Sequence, residues 1–160
     1  MTTIEISTAD DMRALGRLLS AQLRAGDIIV LTGPLGAGKT TLVQGIGEGL
    51  AVSGDVTSPT FVVARQHKSG TKGIGLTHVD AYRLNNADDL VDLDIDDDKP
   101  HVTVIEWGEP FVQHITDSWL AVTIERDSDI HDGAPESGER KVNLTSHGPL
   151  WQGREIVVTS

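Results

Sequence analysis

The apolar positions of this chain fall into short blocks, and their spacing changes along its length. Between Ala9 and Arg24, residues Met12, Leu15, Leu18, Leu19 and Leu23 recur near one face of a helical repeat, which predicts an amphipathic helix. Thr8 or Asp10 offers an N-cap oxygen for an otherwise unpaired amide, and Gly26 offers the stop. Ile4–Ser7 ahead of it reads as a short strand. Asp27–Thr32 (DIIVLT) has consecutive rather than alternating apolar residues, as a parallel strand covered on both faces requires. His101–Glu106 (HVTVIE) is a second apolar strand. Ser58–His67 (SPTFVVARQH) and Ile74–Asp80 (IGLTHVD) read as two strands joined by a hairpin turn at Ser69–Gly73. Ser118–Glu125 alternates like a half-buried strand, Lys141–Thr145 returns beside it, and the tail Trp151–Ser160 offers a last strand in EIVVT. Helices are predicted over Lys39–Leu50, stopping among Gly47, Gly49 and Gly54, and over Ala87–Leu93. Asp127–Glu139 has no apolar pattern and reads as a mobile surface loop. Strand, loop, helix and further strands predict one α/β domain over residues 1–160, a mixed sheet flanked by helices in three layers.

The junction between the first buried strand and the helix after it carries the strongest chemical signal. Gly33-Pro34-Leu35-Gly36-Ala37-Gly38-Lys39-Thr40 matches G-x-x-x-x-G-K-[ST], the P-loop pattern. Phosphate oxygens need several donors pointing inward at once, and a Gly-rich turn lets consecutive amides converge. The following helix adds its unpaired N–H groups and the positive end of its dipole. On this reading Leu35, Gly36, Ala37, Gly38, Lys39, Thr40 and Thr41 cradle a nucleoside triphosphate, ATP with Mg²⁺. Lys39 reaches the β- and γ-phosphates, Thr40 gives its hydroxyl to Mg²⁺, and Thr41 bonds the α-phosphate region.

A P-loop enzyme also needs a carboxylate at a neighbouring strand end, to hold the metal or its water. Two residues qualify: Glu106, which ends HVTVIE, and Asp80, which ends IGLTHVD. Either one can equally be a solvated strand terminus. Ser58-Pro59-Thr60 follows the P-loop helix, and Thr60 is placed either to sense the γ-phosphate and Mg²⁺ or simply to enter a strand. Trp107, beside Glu106, fits packing on the site or packing in the core. Asp92, Asp94 and Asp96 imitate the first ligands of a calcium loop, but Asp97 stands where that loop needs Gly and Thr103 where it needs Glu, so the calcium reading fails. The Asp-rich run from Asp88 to Asp98 then reads as a solvated acidic face or a docking surface for a basic partner.

Composition narrows the partners. The net charge is −11 and the thirteen Lys and Arg residues are scattered, which disfavours direct strong binding to a nucleic-acid backbone. With no Cys, disulfides and thiolate metal sites are excluded. The N-terminal residues do not form a signal peptide and no segment reaches a membrane-spanning length, so a cytoplasmic protein is the expectation.

Four blocks in order, Gly33–Leu42 (GPLGAGKTTL), Ser58–Phe61 (SPTF), His78–Leu84 (HVDAYRL) and Glu106–Glu109 (EWGE), resemble the TsaE family of small bacterial ATPases. The resemblance implies a P-loop NTPase-like fold and a role in tRNA threonylcarbamoyladenosine biosynthesis. That modification falls on the adenosine next to the anticodon of tRNAs reading codons that begin with A. It implies a complex with the proteins TsaB and TsaD, through which tRNA is met indirectly. It also implies Thr40 and Glu106 as the Mg²⁺ pair, Thr60 as a switch threonine, Asp80 as a carboxylate near the metal and Trp107 as a residue near the nucleotide. Tyr82 and Arg83 share the block without an assigned role. Pro34 departs from the family pattern and removes one loop amide. A small-molecule kinase is the alternative reading, but Arg126, Arg140 and Arg154 are isolated in sequence and form no lid. A GTPase is disfavoured because N-K-x-D and the D-x-x-G glycine are missing.

Overall fold

The protein is described from a computed structural model. It describes residues 2–34, 36–52, 54, 56, 64–81, 100–126 and 139–158. The expected helix Ala87–Leu93, the start of the strand Ser58–His67, the Asp-rich run and all but the last residue of the loop Asp127–Glu139 lie outside them.

Among the described residues one seven-stranded sheet organises the fold, in the order β1-β7-β6-β2-β5-β4-β3. The strands are β1 (Thr2–Ile6), β2 (Ile28–Thr32), β3 (Ala64–His67), β4 (Gly75–Asp80), β5 (His101–Glu106), β6 (Trp119–Arg126) and β7 (Arg140–His147). β2 lies between β5 and β6 and is parallel to both, and β4 continues the parallel set. β3 adds antiparallel to β4, while β7 joins β6 and β1 antiparallel. The sheet is therefore mixed, as expected. At its parallel centre β2 comes from a segment with consecutive apolar residues, which needs cover on both faces.

The helices are α1 (Ala9–Ser20), α2 (Lys39–Leu50) and the short α3 (Glu109–Val112). α1 and α2 cover one face: Met12, Leu15, Leu19, Leu42, Val43 and Ile46 pack with Ile29, Leu31, Leu76, Val102 and Val104 in the larger core. On the other face Val79, Ala81 and Ile105 pack with Ile28, Phe111 and Ile115. That gives three layers.

Thr8 caps α1, its hydroxyl accepting from the Asp11 amide at 3.0 Å. The helix ends at Ser20, short of the expected Arg24. Ser20 Oγ bonds back to the Arg17 carbonyl at 2.6 Å, the Gln22 and Leu23 amides shift to the carbonyls three residues back, and Asp27 takes the Arg24 amide at 2.6 Å. Leu23 stays buried after the helix has ended, so apolar periodicity overran the element. α1 and α2 cross on glycine. A Cβ on Gly45 would stand 2.1 Å from the Arg13 carbonyl oxygen, and one on Gly16 2.4 Å from that of Leu42.

The described residues of the tail, up to Val158, do not make the expected last strand. Its polar groups bond across the end of α1 instead: the Val157 amide and carbonyl pair with the Gln22 side chain at 2.6 and 2.7 Å. Arg154 forks onto Asp27 at 2.9 and 2.8 Å and lies 3.9 Å over the Trp151 ring.

Candidate functional site

The parallel strands β2, β4 and β5 all end on the same side of the sheet, and the loop from Gly33 to Gly38 leaves β2 there and opens α2. Two of its glycines have backbones that L side chains rarely adopt, Gly36 at φ +79° and Gly38 at φ +107°. Gly38 is the N-cap of α2 and has no side chain to satisfy the first helix amides. Those amides are therefore open to an anion, in the field of the helix dipole. Lys39, only 8% exposed, folds back over the loop. Its Nζ donates to the Gly33 carbonyl at 2.6 Å and the Pro34 carbonyl at 3.1 Å, and lies 4.9 Å from the Trp107 ring centroid. Burial pushes the Lys39 ammonium below the ordinary lysine range, and the charges of Glu106 and Asp80 oppose that shift.

Both carboxylates named from sequence reach this site. Register pairs Asp80 with Glu106 across β4 and β5. Leu76 on β4 and Val102 and Val104 on β5 belong to the core under α1 and α2, so side-chain alternation puts Asp80 and Glu106 on that same face. Glu106 is 5% exposed, and its Oε2 accepts from His78 Nε2 at 2.5 Å. Trp107 follows in the left-handed region at φ +62°, a conformation unusual for a residue with a Cβ, with its amide bonded to Leu31 O at 3.0 Å. It stands against Lys39, not in the core. Thr40 and Thr41 are half-buried in the first turn of α2. Leu35, Thr60, Tyr82 and Arg83 lie outside the described residues.

Two contributions were not foreseen. A cavity of about 300 Å³ beside the loop is lined by Thr8, Met12, Gly36, Ala37, Thr41 and Arg140. Thr8 and Met12 carry only cap and core signals in the sequence. Two of the three arginines expected to be isolated, Arg126 and Arg140, come together beside the loop. Arg140 and Arg126 are register partners at one end of the β6–β7 pair, and Arg126 Nη1 lies 3.6 Å from where a Gly36 Cβ would be. Arg140 donates from Nε to Ala37 O at 3.0 Å and from Nη2 to Gly36 O at 3.2 Å. Its burial, and then the Arg126 charge, lower its pKa. Arg154 is held at the opposite end of β2 by Asp27.

Among the described residues no group of three or more His, Cys, Asp or Glu is arranged to hold a metal by itself. A cation such as Mg²⁺ keeps waters and shares phosphate oxygens with one or two protein ligands. The backbone of Gly36 and Gly38, an inward lysine and a strand-end carboxylate on the same face form a donor set that fits a phosphate chain and such a cation. No helix among the described residues is long and apolar enough to cross a membrane.

Sheet, loop and helix define a protein with a P-loop NTPase-like fold. A crystal structure of Bacillus subtilis YdiB superposes with a TM-score of 0.70 at 26% identity, covering 92% of this chain and 86% of that one. The chain belongs to the TsaE family: the family described as threonylcarbamoyl adenosine biosynthesis protein TsaE matches residues 6–134. Relatives called tRNA threonylcarbamoyladenosine biosynthesis protein TsaE include one from Streptomyces coelicolor, 49% identical over 92% of this chain and 98% of that protein. Another, from Bacillus subtilis, is 30% identical over 89% of this chain and 84% of that protein.

Proposed function

We propose that this chain is a Mg²⁺-dependent P-loop ATPase that supports tRNA threonylcarbamoyladenosine modification in the cytoplasm, within a complex containing the TsaB and TsaD proteins. The observation that carries the reading is the convergence of Lys39, the Gly36–Gly38 backbone and the paired carboxylates Asp80 and Glu106 at one end of the parallel strands, in a chain of this family. The acidic balance of the chain supports leaving tRNA contact to the partners.

In this mechanism the amides at the start of α2 hold the phosphate chain, and Lys39 exchanges the Gly33 and Pro34 carbonyls for phosphate oxygens. The cavity bounded by Thr8, Met12 and Arg140 receives the rest of the nucleotide. Thr40 and Glu106 would hold Mg²⁺, which when bound would supply neutralisation of the charge on the transferring phosphoryl group. Asp80, more exposed than Glu106, orients the attacking water, and Trp107 shields Lys39 from solvent. Arg140 is engaged with the carbonyls of Gly36 and Ala37, so it braces the loop and does not close over a substrate. With charge stabilisation left to Lys39 and the loop, turnover of the chain alone is slow and rises when partners complete the site.

The test is ATP hydrolysis with Mg²⁺ by the chain alone and then with TsaB and TsaD. Slow hydrolysis that rises in the complex, and loss of both nucleotide binding and hydrolysis in Lys39→Ala, are the expected results. Equal rates with and without partners would remove the partner-completed mechanism. Undiminished activity in Lys39→Ala would remove the site.

A further inference from the structure

Glu106 has a neighbour that the mechanism above leaves without a task. His78 lies on β4 two residues before Asp80, paired in register with Val104. It therefore sits one pleat behind Glu106, on the same face of the sheet. Its side chain is 0% exposed, and Nε2 lies 2.5 Å from Glu106 Oε2. Its other ring nitrogen, Nδ1, is buried without a hydrogen-bond partner among the described residues. Leu76 and Val79 on the same strand are apolar and fully buried, as is Val104 opposite. Stability alone would put a similar side chain at position 78, because burying an imidazole with one nitrogen unsatisfied is costly. The contact that sets His78 apart is the one to Glu106.

We propose that His78 is a positioning residue for the metal carboxylate. A carboxylate oxygen only accepts, so the ring carries its proton on Nε2 and donates it to Glu106 Oε2. The terminal torsion of a glutamate is broad and roughly two-fold. The imidazole removes that freedom and engages Oε2, so that Oε1 would remain for a cation that Thr40 would also hold. Outer partners of this kind orient ligating carboxylates and tune the affinity of a metal site. The inference rests on the reading of Glu106 as the Mg²⁺ carboxylate.

The test uses the whole chain with ADP and Mn²⁺ as the probe, free Mn²⁺ being followed by electron paramagnetic resonance. His78→Phe keeps the volume and removes the donor, and its Mn²⁺ Kd rises about tenfold, the lower end for loss of an outer-sphere partner. Its affinity for ADP in EDTA stays at the wild-type value, which shows that the loop is intact. His78→Gln, whose amide reaches nearly as far as Nε2, recovers most of the loss. A folded His78→Phe protein with wild-type Mn²⁺ affinity overturns the proposal. Glu106→Gln, run in parallel, separates the two levels. If it too leaves Mn²⁺ binding unchanged, the reading of Glu106 fails and this inference with it. If only Glu106→Gln weakens binding, His78 alone is eliminated. Nitrogen-15 spectra of histidine in the unmutated protein provide a check that needs no variant. The expected ring is protonated at Nε2, with a proton resonance that moves when Mg²⁺ and ADP are added together and not with ADP in EDTA. A ring protonated at Nδ1 and bare at Nε2, or an Nε2 proton indifferent to the metal, overturns the proposal.

Discussion

Arg140 Nε donates to the carbonyl oxygen of Ala37 at 3.0 Å, tying the first residue of β7 to a phosphate loop 103 positions earlier in the chain. The same guanidinium reaches the Gly36 carbonyl at 3.2 Å, so one buried side chain holds two consecutive carbonyls of the loop outward. When those carbonyls are fixed, the amides of the same peptide units are fixed too.

Removing this brace tests the point. Arg140→Gln loses the charge and the fork, and hydrogen bonds to charged groups contribute about 1.5–3 kcal/mol each. A destabilisation of about 2 kcal/mol in urea denaturation is expected. A fall in ADP affinity measured by calorimetry should accompany it. Stability lost with affinity unchanged would mean that the loop keeps its shape without Arg140.

A second expectation concerns pH and Lys39. Burial lowers its pKa in the folded protein from the 10.5 of an ordinary lysine. Between the folded value and 10.5 the unfolded chain binds more protons than the folded one, so this residue's contribution to folding stability increases as pH rises. Comparison with Lys39→Met, each free of nucleotide, isolates that contribution from the other charges. The stability difference should move in favour of the wild type as pH climbs through this alkaline window. A difference independent of pH would show that the ammonium bears no net desolvation cost.

The parts of this architecture set by local pattern were legible in the sequence. Gly36 and Gly38 of the run GPLGAGKT take the positive φ that a Gly-rich turn calls for, and His101–Glu106 and Lys39–Leu50 begin and end where their apolar patterns do. Asp80 and Glu106 were recognisable as strand ends, and the strand pairing then set them opposite each other. The unforeseen contributions depend on contacts remote in sequence. Arg140 meets Ala37 only because β7 folds back along β6, and His78 meets Glu106 only through β4–β5 pairing. The tail misled because EIVVT has strand propensity, while its polar groups had better partners in Gln22 and Asp27 than at a sheet edge.

Gly45 offers a test of how the helices hold the site. A Cβ there would stand 2.1 Å from the Arg13 carbonyl oxygen, which is backbone and cannot rotate away. Gly45→Ala must therefore push α1 off α2, and overpacking of this kind costs about 1–3 kcal/mol. Because α1 carries Thr8 and Met12 to the cavity beside the loop, nucleotide affinity should fall as well. Thermal melts with and without ADP would measure both. A variant as stable as wild type would contradict the close helix crossing.

The Arg154–Asp27 pair provides the opposite case, a large stability effect without a functional one. Both side chains are at least nine-tenths buried, Arg154 forks onto both oxygens of Asp27, and that hydrogen bonding raises the arginine's pKa. Arg154→Ala leaves the Asp27 carboxylate buried without its cation, and breaking a buried pair from one side costs about 3–5 kcal/mol. It also frees the tail residues that the guanidinium pins by stacking on Trp151. Asp27 precedes β2, whereas the phosphate loop follows it, so the strand separates the two sites. ADP affinity of the folded variant should therefore match the wild type at a temperature where both are native. The double variant Asp27→Asn with Arg154→Met, which removes the stranded charge, should be more stable than Arg154→Ala alone. A loss in Arg154→Ala of less than about 1 kcal/mol, the usual range of an exposed ion pair, would show that water reaches the pair and that the tail is held by Gln22 alone.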